Sequence, residues 1–444
     1  MTTTPSADEP PSGPAQPAPT PPAAPPGAPP PSPALAATEG GRFSLLTRLS
    51  VYTLVSTTAD FVFGAVFVTV ILARGADPWA VGLIIAGGHL IGLLMEAPSG
   101  AMGDRYGHRR LLTVGLAVWG SGFVTLGLAD GLLLTAVGMC LGNTGMSLKS
   151  GTLNAILINR VGEHDRNQRI TRIVRVGAVS TRMGSVLGAA SVMVAGTWLS
   201  ADTMIAVGGV LVLLLAALAP LCFPPTPARP DRRIGTIVLE SVVLVASRRF
   251  VPLVVLALSL MCATMLLVVA WQPMLLAEYG DEDVRLNGLV LLLMSLSLAA
   301  GAACARWVNK DRPHVWGSLV SMGIGLPLVL AAYGVVPLVA GLVVAEFLIG
   351  LGGVLSGVWG QLMFTDANRN TMFSTVTVAT LLGSVLTTSS FGWMWDLWGV
   401  PAAVSVLAVL AFVLAAAALL LARLFPESAD FTWAARQNRA AAED

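Results

Sequence analysis

Twelve long apolar runs constrain this 444-residue chain more than any other feature. A helix that crosses a bilayer needs roughly 20 apolar residues, because its backbone groups must be satisfied within the segment. Charged residues make up only 11% of the chain, whereas an ordinary soluble domain carries about 25%. We therefore predict an all-α integral membrane protein with twelve transmembrane helices. The predicted spans are 50–73, 79–102, 111–129, 131–158, 169–196, 203–222, 250–276, 286–307, 315–333, 336–363, 372–394 and 400–423.

Basic residues predict which side of the membrane each loop faces. Of the 26 lysines and arginines, only Arg74 and Arg285 fall in loops on the side opposite the chain termini. Loops rich in lysine and arginine stay on the cytoplasmic side of a membrane protein. We therefore expect a multi-pass protein of the cell (plasma) membrane, with both termini in the cytoplasm.

The two halves of the chain carry related segments in the same order. The string GSVL occurs at 184–187 in the fifth span and at 383–386 in the eleventh, and RN precedes each of these spans. Such a repeat predicts two pseudo-symmetric six-helix bundles. We also expect the chain to function as a monomer. The predicted units are a disordered Pro/Ala-rich cytoplasmic tail at 1–40, a first bundle at 41–222, a cytoplasmic linker at 223–249, a second bundle at 250–425 and a cytoplasmic tail at 426–444.

A short cationic hairpin, EAPSGAMGDRYGHRRL at 96–111, joins the second and third spans. Its glycines allow a close approach and a sharp turn, and its aspartate can accept hydrogen bonds from a helix N-terminus, where the helix dipole favours an anion. The segment at 301–310, after the eighth span, is a partial copy. We predict a cytoplasmic gate made of Glu96, Pro98, Gly100, Asp104, Arg105, Gly107, Arg109, Arg110 and, in the copy, Arg306.

The string G-x-x-x-D-R-x-G-x-R-R, from Gly100 to Arg110, resembles the signature between helices 2 and 3 of the major facilitator superfamily (MFS). The resemblance implies a twelve-helix secondary transporter that works by alternating access, with helices 1, 4, 7 and 10 lining a central cavity. The preceding E-x-P-x-G at 96–100 is similar to bacterial drug and metabolite exporters. The fourth span, however, lacks the arginine usual in drug–proton antiporters, and the fifth has Gly-Ser where they have Gly-Pro.

Ionisable residues inside the predicted spans are candidates for function, because a charge in hydrocarbon is unfavourable. Asp60 in the first span and Glu346 in the tenth are either proton-exchanging or substrate-binding carboxylates, or structural hydrogen-bonding groups. The resemblance places both on helices that line the cavity. His89 in the second span is either a group that titrates near neutral pH or a packing residue.

Lys149 in the fourth span and Arg182 in the fifth are the cations expected to be buried. Either can pair with an acid or bind an anionic group of the substrate, and the alternative for Lys149 is that its long side chain extends to the cytoplasmic face. We predict that Arg182 forms an ion pair with Asp60 or Glu346, because the fifth helix packs beside the first in this fold. The cavity then suits neutral or cationic amphipathic substrates. If instead Arg182 and Lys149 both face an empty cavity, with no acid within ion-pair distance, organic anions become the expected substrates.

The adjacent Trp271 and Gln272 in the seventh span form one more candidate site. An aromatic ring and an amide can stack on a ligand and orient it. The alternative is a tryptophan of the interfacial belt beside a proline kink.

The resemblance leads to a prediction of function: export of an amphipathic small molecule, either a drug or a secondary metabolite, in exchange for protons. The alternatives are an uptake symporter or facilitator and, outside the transporter class, a membrane-embedded enzyme or receptor. The four cysteines have neither paired spacing nor histidine neighbours, so we expect no metal site. We expect no cofactor, no nucleic acid and no catalysis; the expected partners are the substrate, protons and the lipid bilayer.

Overall fold

The predicted apolar runs form long α-helices. The computed structural model describes residues 44–158, 160–161, 166–225, 247–280, 284–308, 311–364 and 369–433. At the start of the second helix, Pro78 occupies the first turn and the Asp77 side chain accepts a hydrogen bond from the backbone N–H of Ala80, at 2.6 Å. The helices are α1 Leu45–Ala73, α2 Pro78–Tyr106, α3 His108–Gly127, α4 Leu132–Lys149, α5 Thr152–Ile158, α6 Arg166–Ala195, α7 Ala201–Cys222, α8 Val251–Tyr279, α9 Val284–Cys304, α10 Pro313–Ala332, α11 Leu338–Met363, α12 Arg369–Trp398 and α13 Val400–Leu424.

The fourth span is not the single helix that the sequence predicts at 131–158. It consists of α4 and α5, separated at Ser150 and Gly151. Gly151 adopts a φ of +69°, a left-handed backbone conformation that favours glycine. The hydroxyl of Thr152 donates to the carbonyl oxygen of Lys149, at 2.6 Å, and so binds a main-chain group beside the break. Across the described residues, 11 helices are long and apolar enough to cross a membrane, and the interrupted fourth span is not among them.

The helices pack as two bundles with the same internal arrangement. In the first bundle, α1 packs on α6 and α7, α3 packs on α4 and α7, and α2 packs on α4. In the second bundle, α8 packs on α12 and α13, α10 packs on α11 and α13, and α9 packs on α11. Each of these five contacts of the first bundle therefore recurs between the equivalent helices of the second, which confirms the predicted pseudo-symmetric fold. The bundles meet where α2 packs on α12 and α6 packs on α9.

The hairpin end of the molecule holds the turn between α2 and α3, and the distal end holds the turn between α1 and α2. The hairpin is more helical than its sequence predicts, because α2 continues to Tyr106 and only Gly107, with a φ of +90°, separates it from α3. Arg109 then donates to the carbonyl oxygens of Pro220 and Phe223, each at 3.3 Å, and thereby ties the hairpin to the end of α7.

The segment that follows α13 packs against the hairpin end of the second bundle. The indole Nε1 of Trp359 donates to the carbonyl oxygen of Ser428, and Arg249 donates to that of Glu427, both at 3.0 Å. The ring of Trp433 lies 4.4 Å from the Arg249 guanidinium. The predicted tail at 426–444 therefore begins as a packed segment. The predicted tail at 1–40 and positions 226–246 of the linker lie outside the described residues.

Candidate functional site

Four of the predicted site residues are charged residues within the long helices of the two bundles. Asp60 lies in the middle of α1, Lys149 ends α4, Arg182 lies in the middle of α6 and Glu346 lies in α11. Arg182 is exposed and the other three are half-buried. The charge of Asp60 interacts electrostatically with that of Lys149, and the charge of Glu346 interacts with that of Arg182. We call these four residues the charged set.

Lys149 is held in place without an acid in contact. It is the last residue of α4, where the negative end of the helix dipole favours a cation. Its ammonium donates a hydrogen bond to Ser56 Oγ, at 3.1 Å, and lies 4.5 Å from the ring centroid of Trp119. Asp60 acts on this ammonium only at longer range, because no carboxylate of the described residues is within ion-pair distance of it.

The guanidinium of Arg182 forms no hydrogen bond or ion pair with any residue that the structure describes. The acid whose charge acts on it is Glu346, supplied by the second bundle. Although α6 does pack on α1, Asp60 on α1 faces Lys149 instead. The predicted ion pair of Arg182 is therefore not formed within the described part of the chain. Neither cation has an acid within ion-pair distance among the described residues, as the anionic alternative requires, but Lys149 is half-buried against Trp119.

Two further site candidates, His89 and Glu96, lie on α2. His89 is half-buried, and its Nδ1 has no hydrogen-bond partner among the described residues. Glu96 accepts a hydrogen bond from Ser150 Oγ, at 3.5 Å, so it contacts the break in the fourth span. Its predicted role in the gate stays a prediction, since the contact shows only which neighbouring helix it touches.

The gate motif lies at the hairpin end. Arg105 and Arg306 each stack on the aromatic residue that follows them, at 5.6 and 4.4 Å from the ring centroid. Both are exposed, and Arg306 follows α9 as the repeat predicts. The side chain of Asp104 and the surroundings of Gly100 lie outside the described residues, so the predicted contact of Asp104 stays a prediction. The other motif residues not yet placed are Pro98, inside α2, and Arg110, exposed near the start of α3.

Gln272 and its neighbour Trp271 are buried between the bundles, toward the distal end. Their exposed fractions are 0% and 2%. Gln272 Nε2 donates to the carbonyl oxygen of Gly64, at 3.0 Å. Gln272 Oε1 accepts from the backbone N–H of Thr69, at 3.0 Å, and from its hydroxyl, at 3.1 Å. In this conformation the predicted ligand-orienting amide therefore binds α1.

Asn287 of α9, which the sequence did not single out, binds the same stretch of α1. Its Nδ2 donates to the carbonyl oxygen of Ala65, at 3.0 Å, and to Thr69 Oγ1, at 3.2 Å. The N–H of Thr69 and the carbonyl of Ala65 are four residues apart, so they are also natural partners within an α-helix. We call Gln272 and Asn287, together with Gly64, Ala65 and Thr69, the amide clamp.

The amide clamp identifies the closed end of the molecule. Its five side-chain hydrogen bonds join α8 and α9 of the second bundle to α1 of the first. Near the same end α2 and α12 touch, and a Cβ added to Gly82 would lie 2.7 Å from the Cα of Gly392. The distal end is therefore closed. Asp60 lies one helical turn nearer to the hairpin end than Gly64 does.

Two equivalent bundles of membrane-spanning helices, with charged residues in the middle of several helices, are typical of polytopic membrane carriers. Residues 49–367 match the Major Facilitator Superfamily. The chain belongs to this family, as the hairpin resemblance implied, and members of the family transport small molecules across membranes.

The chain is also similar to individual members. It is 23% identical over 280 residues to the 3-(3-hydroxyphenyl)propionate transporter of Escherichia coli (strain K12), which covers 63% of this chain and 68% of the relative. A mutant of the nucleoside transporter NupG aligns with a TM-score of 0.71 at 13% identity, covering 85% of this chain and all of the other. An inward-facing, unoccupied bacterial homologue of the human lysosomal transporter Spinster aligns with a TM-score of 0.70 at 14% identity, covering 86% and 97%. At these identities, the solved structures support the fold alone.

Proposed function

We propose that the chain is a secondary transporter that carries an organic anion together with protons. One observation supports the anion: Lys149 and Arg182 lie within membrane spans, and neither has an acid within ion-pair distance among the described residues. Charges in membrane spans are normally paired, because an unpaired one costs at least about 2.5–3.5 kcal/mol on insertion scales. We infer that the substrate supplies the missing negative charge.

The chemistry of the two cations narrows the substrate class to small carboxylates. A guanidinium such as that of Arg182 can bind a carboxylate through two parallel hydrogen bonds, whereas the ammonium of Lys149 acts as a point charge. The E. coli relative is named for 3-(3-hydroxyphenyl)propionate, which joins a carboxylate to an aromatic ring. Such a molecule is amphipathic, as the sequence predicts for the substrate. We propose monocarboxylates with an apolar body.

The charge arrangement favours symport over the predicted exchange for protons. A carboxylate bound at Lys149 would be repelled by the carboxylate of Asp60, the acid that acts on this lysine. Protonation of Asp60 removes that repulsion, so the proton and the anion favour each other's binding. The same argument applies to Arg182 and Glu346. A cationic substrate would instead compete with the proton, which is the logic of export by exchange.

We propose that the hairpin end faces the cytoplasm, because it carries the cationic gate motif. Arg160 lies at the same end. Burial lowers the pKa of its guanidinium, and the nearby charge of Arg109 lowers it further. Because the ordinary pKa of arginine is so high, Arg160 still carries its charge at neutral pH. With this orientation the closed distal end faces outside, and the conformation is inward-facing. Opening the amide clamp lets the Thr69 N–H pair with the Ala65 carbonyl inside α1, so neither group is left unsatisfied.

Proteoliposomes with the purified protein test the proposal. The probes are 3-(3-hydroxyphenyl)propionate and its amide, which differ mainly in charge. We expect an inward proton gradient to drive accumulation of the anion and not of the amide. Protein-free liposomes correct for the acid that crosses the bilayer passively. Transport of cationic amphipathic compounds without transport of the anion would contradict the proposal, and proton-driven efflux of the anion would restore the predicted export.

A further inference from the structure

Trp119, a buried tryptophan beside Lys149, takes no part in the proposed binding of the anion and protons. Trp119 of α3 is 1% exposed, and its indole N–H has no hydrogen-bond partner among the described residues. A buried N–H without a partner is unfavourable, and phenylalanine or leucine would fill much of the same space without that penalty. Something other than hydrogen bonding therefore accounts for the indole.

The ammonium of Lys149 lies over the face of the Trp119 ring. The ammonium lies 4.5 Å from the ring centroid, inside the roughly 6 Å reach of a cation–π interaction, for which tryptophan is the best aromatic partner. The same ammonium donates a hydrogen bond to Ser56 Oγ, at 3.1 Å. Neither partner carries a negative charge. The ammonium is thus fixed in position while its charge remains available.

Close packing of α3 on α4 sets this geometry. A Cβ on Gly145 would collide with the main chain of Trp119, and a Cβ on Gly115 would lie 2.8 Å from the backbone nitrogen of Lys149. The two glycines therefore let the helices approach each other at the level of the cation–π pair. The break in the fourth span then ends α4 at Lys149, which places this cation at the negative end of the helix dipole.

We propose that Trp119 is a positioning residue that presents Lys149 to the substrate carboxylate, with Ser56 as a second support. The inference rests on the proposed anion transport and names the source of its charge selectivity. An acid in contact would hold the lysine equally well but would neutralise it. An aromatic face and a hydroxyl hold it without competing with an anionic substrate.

Binding of the two probes to the purified full-length protein tests this role. Trp119→Leu should lower affinity for 3-(3-hydroxyphenyl)propionate about tenfold, a value within the range of cation–π interactions. Trp119→Phe keeps a weaker ring face and should lower it about threefold. Affinity for the amide should stay unchanged in both variants. Leu112→Ala is the matched control, since Leu112 is fully buried on the same helix, two turns before Trp119.

A double-mutant cycle separates positioning from packing. In a Lys149→Met background, Trp119→Leu should cause no further loss of anion affinity. Equal losses for the anion and the amide, or the same loss with and without the lysine, would overturn the positioning role. If Trp119→Leu does not fold, an unchanged anion-to-amide affinity ratio in Trp119→Phe would overturn it. A wild-type protein that does not prefer the anion would refute the proposed substrate class instead.

Discussion

The amide clamp and the charged set both include residues of α1, yet they use polar groups in opposite ways. In the clamp, Gln272 is fully buried, and both polar atoms of its amide bind the first bundle. In the charged set, Arg182 is exposed, and its guanidinium binds no described residue. Polar groups that are already satisfied hold a conformation, whereas groups left unsatisfied are available to a ligand.

Two arginines of the first bundle make the same contrast testable. Arg74 is only 9% exposed and forms an ion pair with Asp202, at 2.5 Å. It also donates to Thr135 Oγ1, at 2.8 Å, and to the carbonyl oxygen of Leu126, at 2.6 Å. Arg182 has the same side chain without any of these partners among the described residues. One arginine should therefore matter for stability and the other for transport.

The largest effect on transport is expected from Arg182→Met. This change should reduce proton-driven uptake of 3-(3-hydroxyphenyl)propionate by about 100-fold, because it removes the guanidinium that we propose binds the substrate carboxylate through two charge-assisted hydrogen bonds. The melting temperature should change little, since the guanidinium has no described partner to lose. Arg175→Met, two turns away on the same helix, is the control and should transport normally. A normal rate in Arg182→Met would show that the exposed arginine is not a binding group.

The sequence predicted most of the fold because a bilayer leaves few choices to an apolar run. It did not predict the break after Lys149, since the flanking segments are apolar and a glycine among them is read as a packing position. Only the positive φ of Gly151 reveals the interruption. The helical part of the hairpin was also missed, because charged residues end a membrane span without ending a helix.

The sequence predicted the types of the site residues better than their roles. Gln272 stood out as a polar residue in an apolar span, but its partner Thr69 is 203 positions away in the chain. No local pattern tells whether such a group is satisfied. Nothing in the sequence singled out Asn287, because it lies at the edge of a predicted span, where polar residues are common. Trp119 was not selected either, because a tryptophan inside an apolar span is usually a packing residue.

The next largest effect is expected from Gln272→Leu, which tests the clamp side of the comparison. The variant loses three hydrogen bonds between the bundles, each contributing about 0.5–1.5 kcal/mol. The distal-open state should gain population about tenfold or more. The readout is the distance between spin labels at Asp130 and Val335, exposed near the distal ends of the two bundles, after replacement of the native cysteines.

A second buried polar residue of α8 provides the control for that measurement. Ser259 is 0% exposed and donates to the carbonyl oxygen of Ala411 inside the second bundle, at 2.7 Å. Ser259→Ala should therefore lower stability without changing the spin-label distances. If both variants shift the distances equally, loosening of the second bundle explains the result and the clamp does not.

A smaller shift is expected from Thr69→Val, which removes the hydroxyl and keeps the backbone N–H. The clamp would lose two of its contacts but keep those of Gln272 and Asn287 to the main chain of α1. We expect about a fivefold gain of the distal-open state, near the lower limit for two neutral hydrogen bonds. A shift as large as that of Gln272→Leu would indicate that the hydroxyl, and not the main chain, holds the bundles together.

The smallest effect on transport is expected from Arg74→Met, and it completes the comparison of the two arginines. Removing this side chain leaves Thr135, Leu126 and Asp202 without a charged partner, so the first bundle should lose about 2 kcal/mol of stability. Thermal unfolding in detergent measures that loss. Affinity for the anion should stay within about twofold, because a satisfied cation offers nothing to a ligand. If Arg74→Met lowers anion affinity as strongly as Arg182→Met does, hydrogen-bond satisfaction does not distinguish structural from substrate-binding charges in this protein.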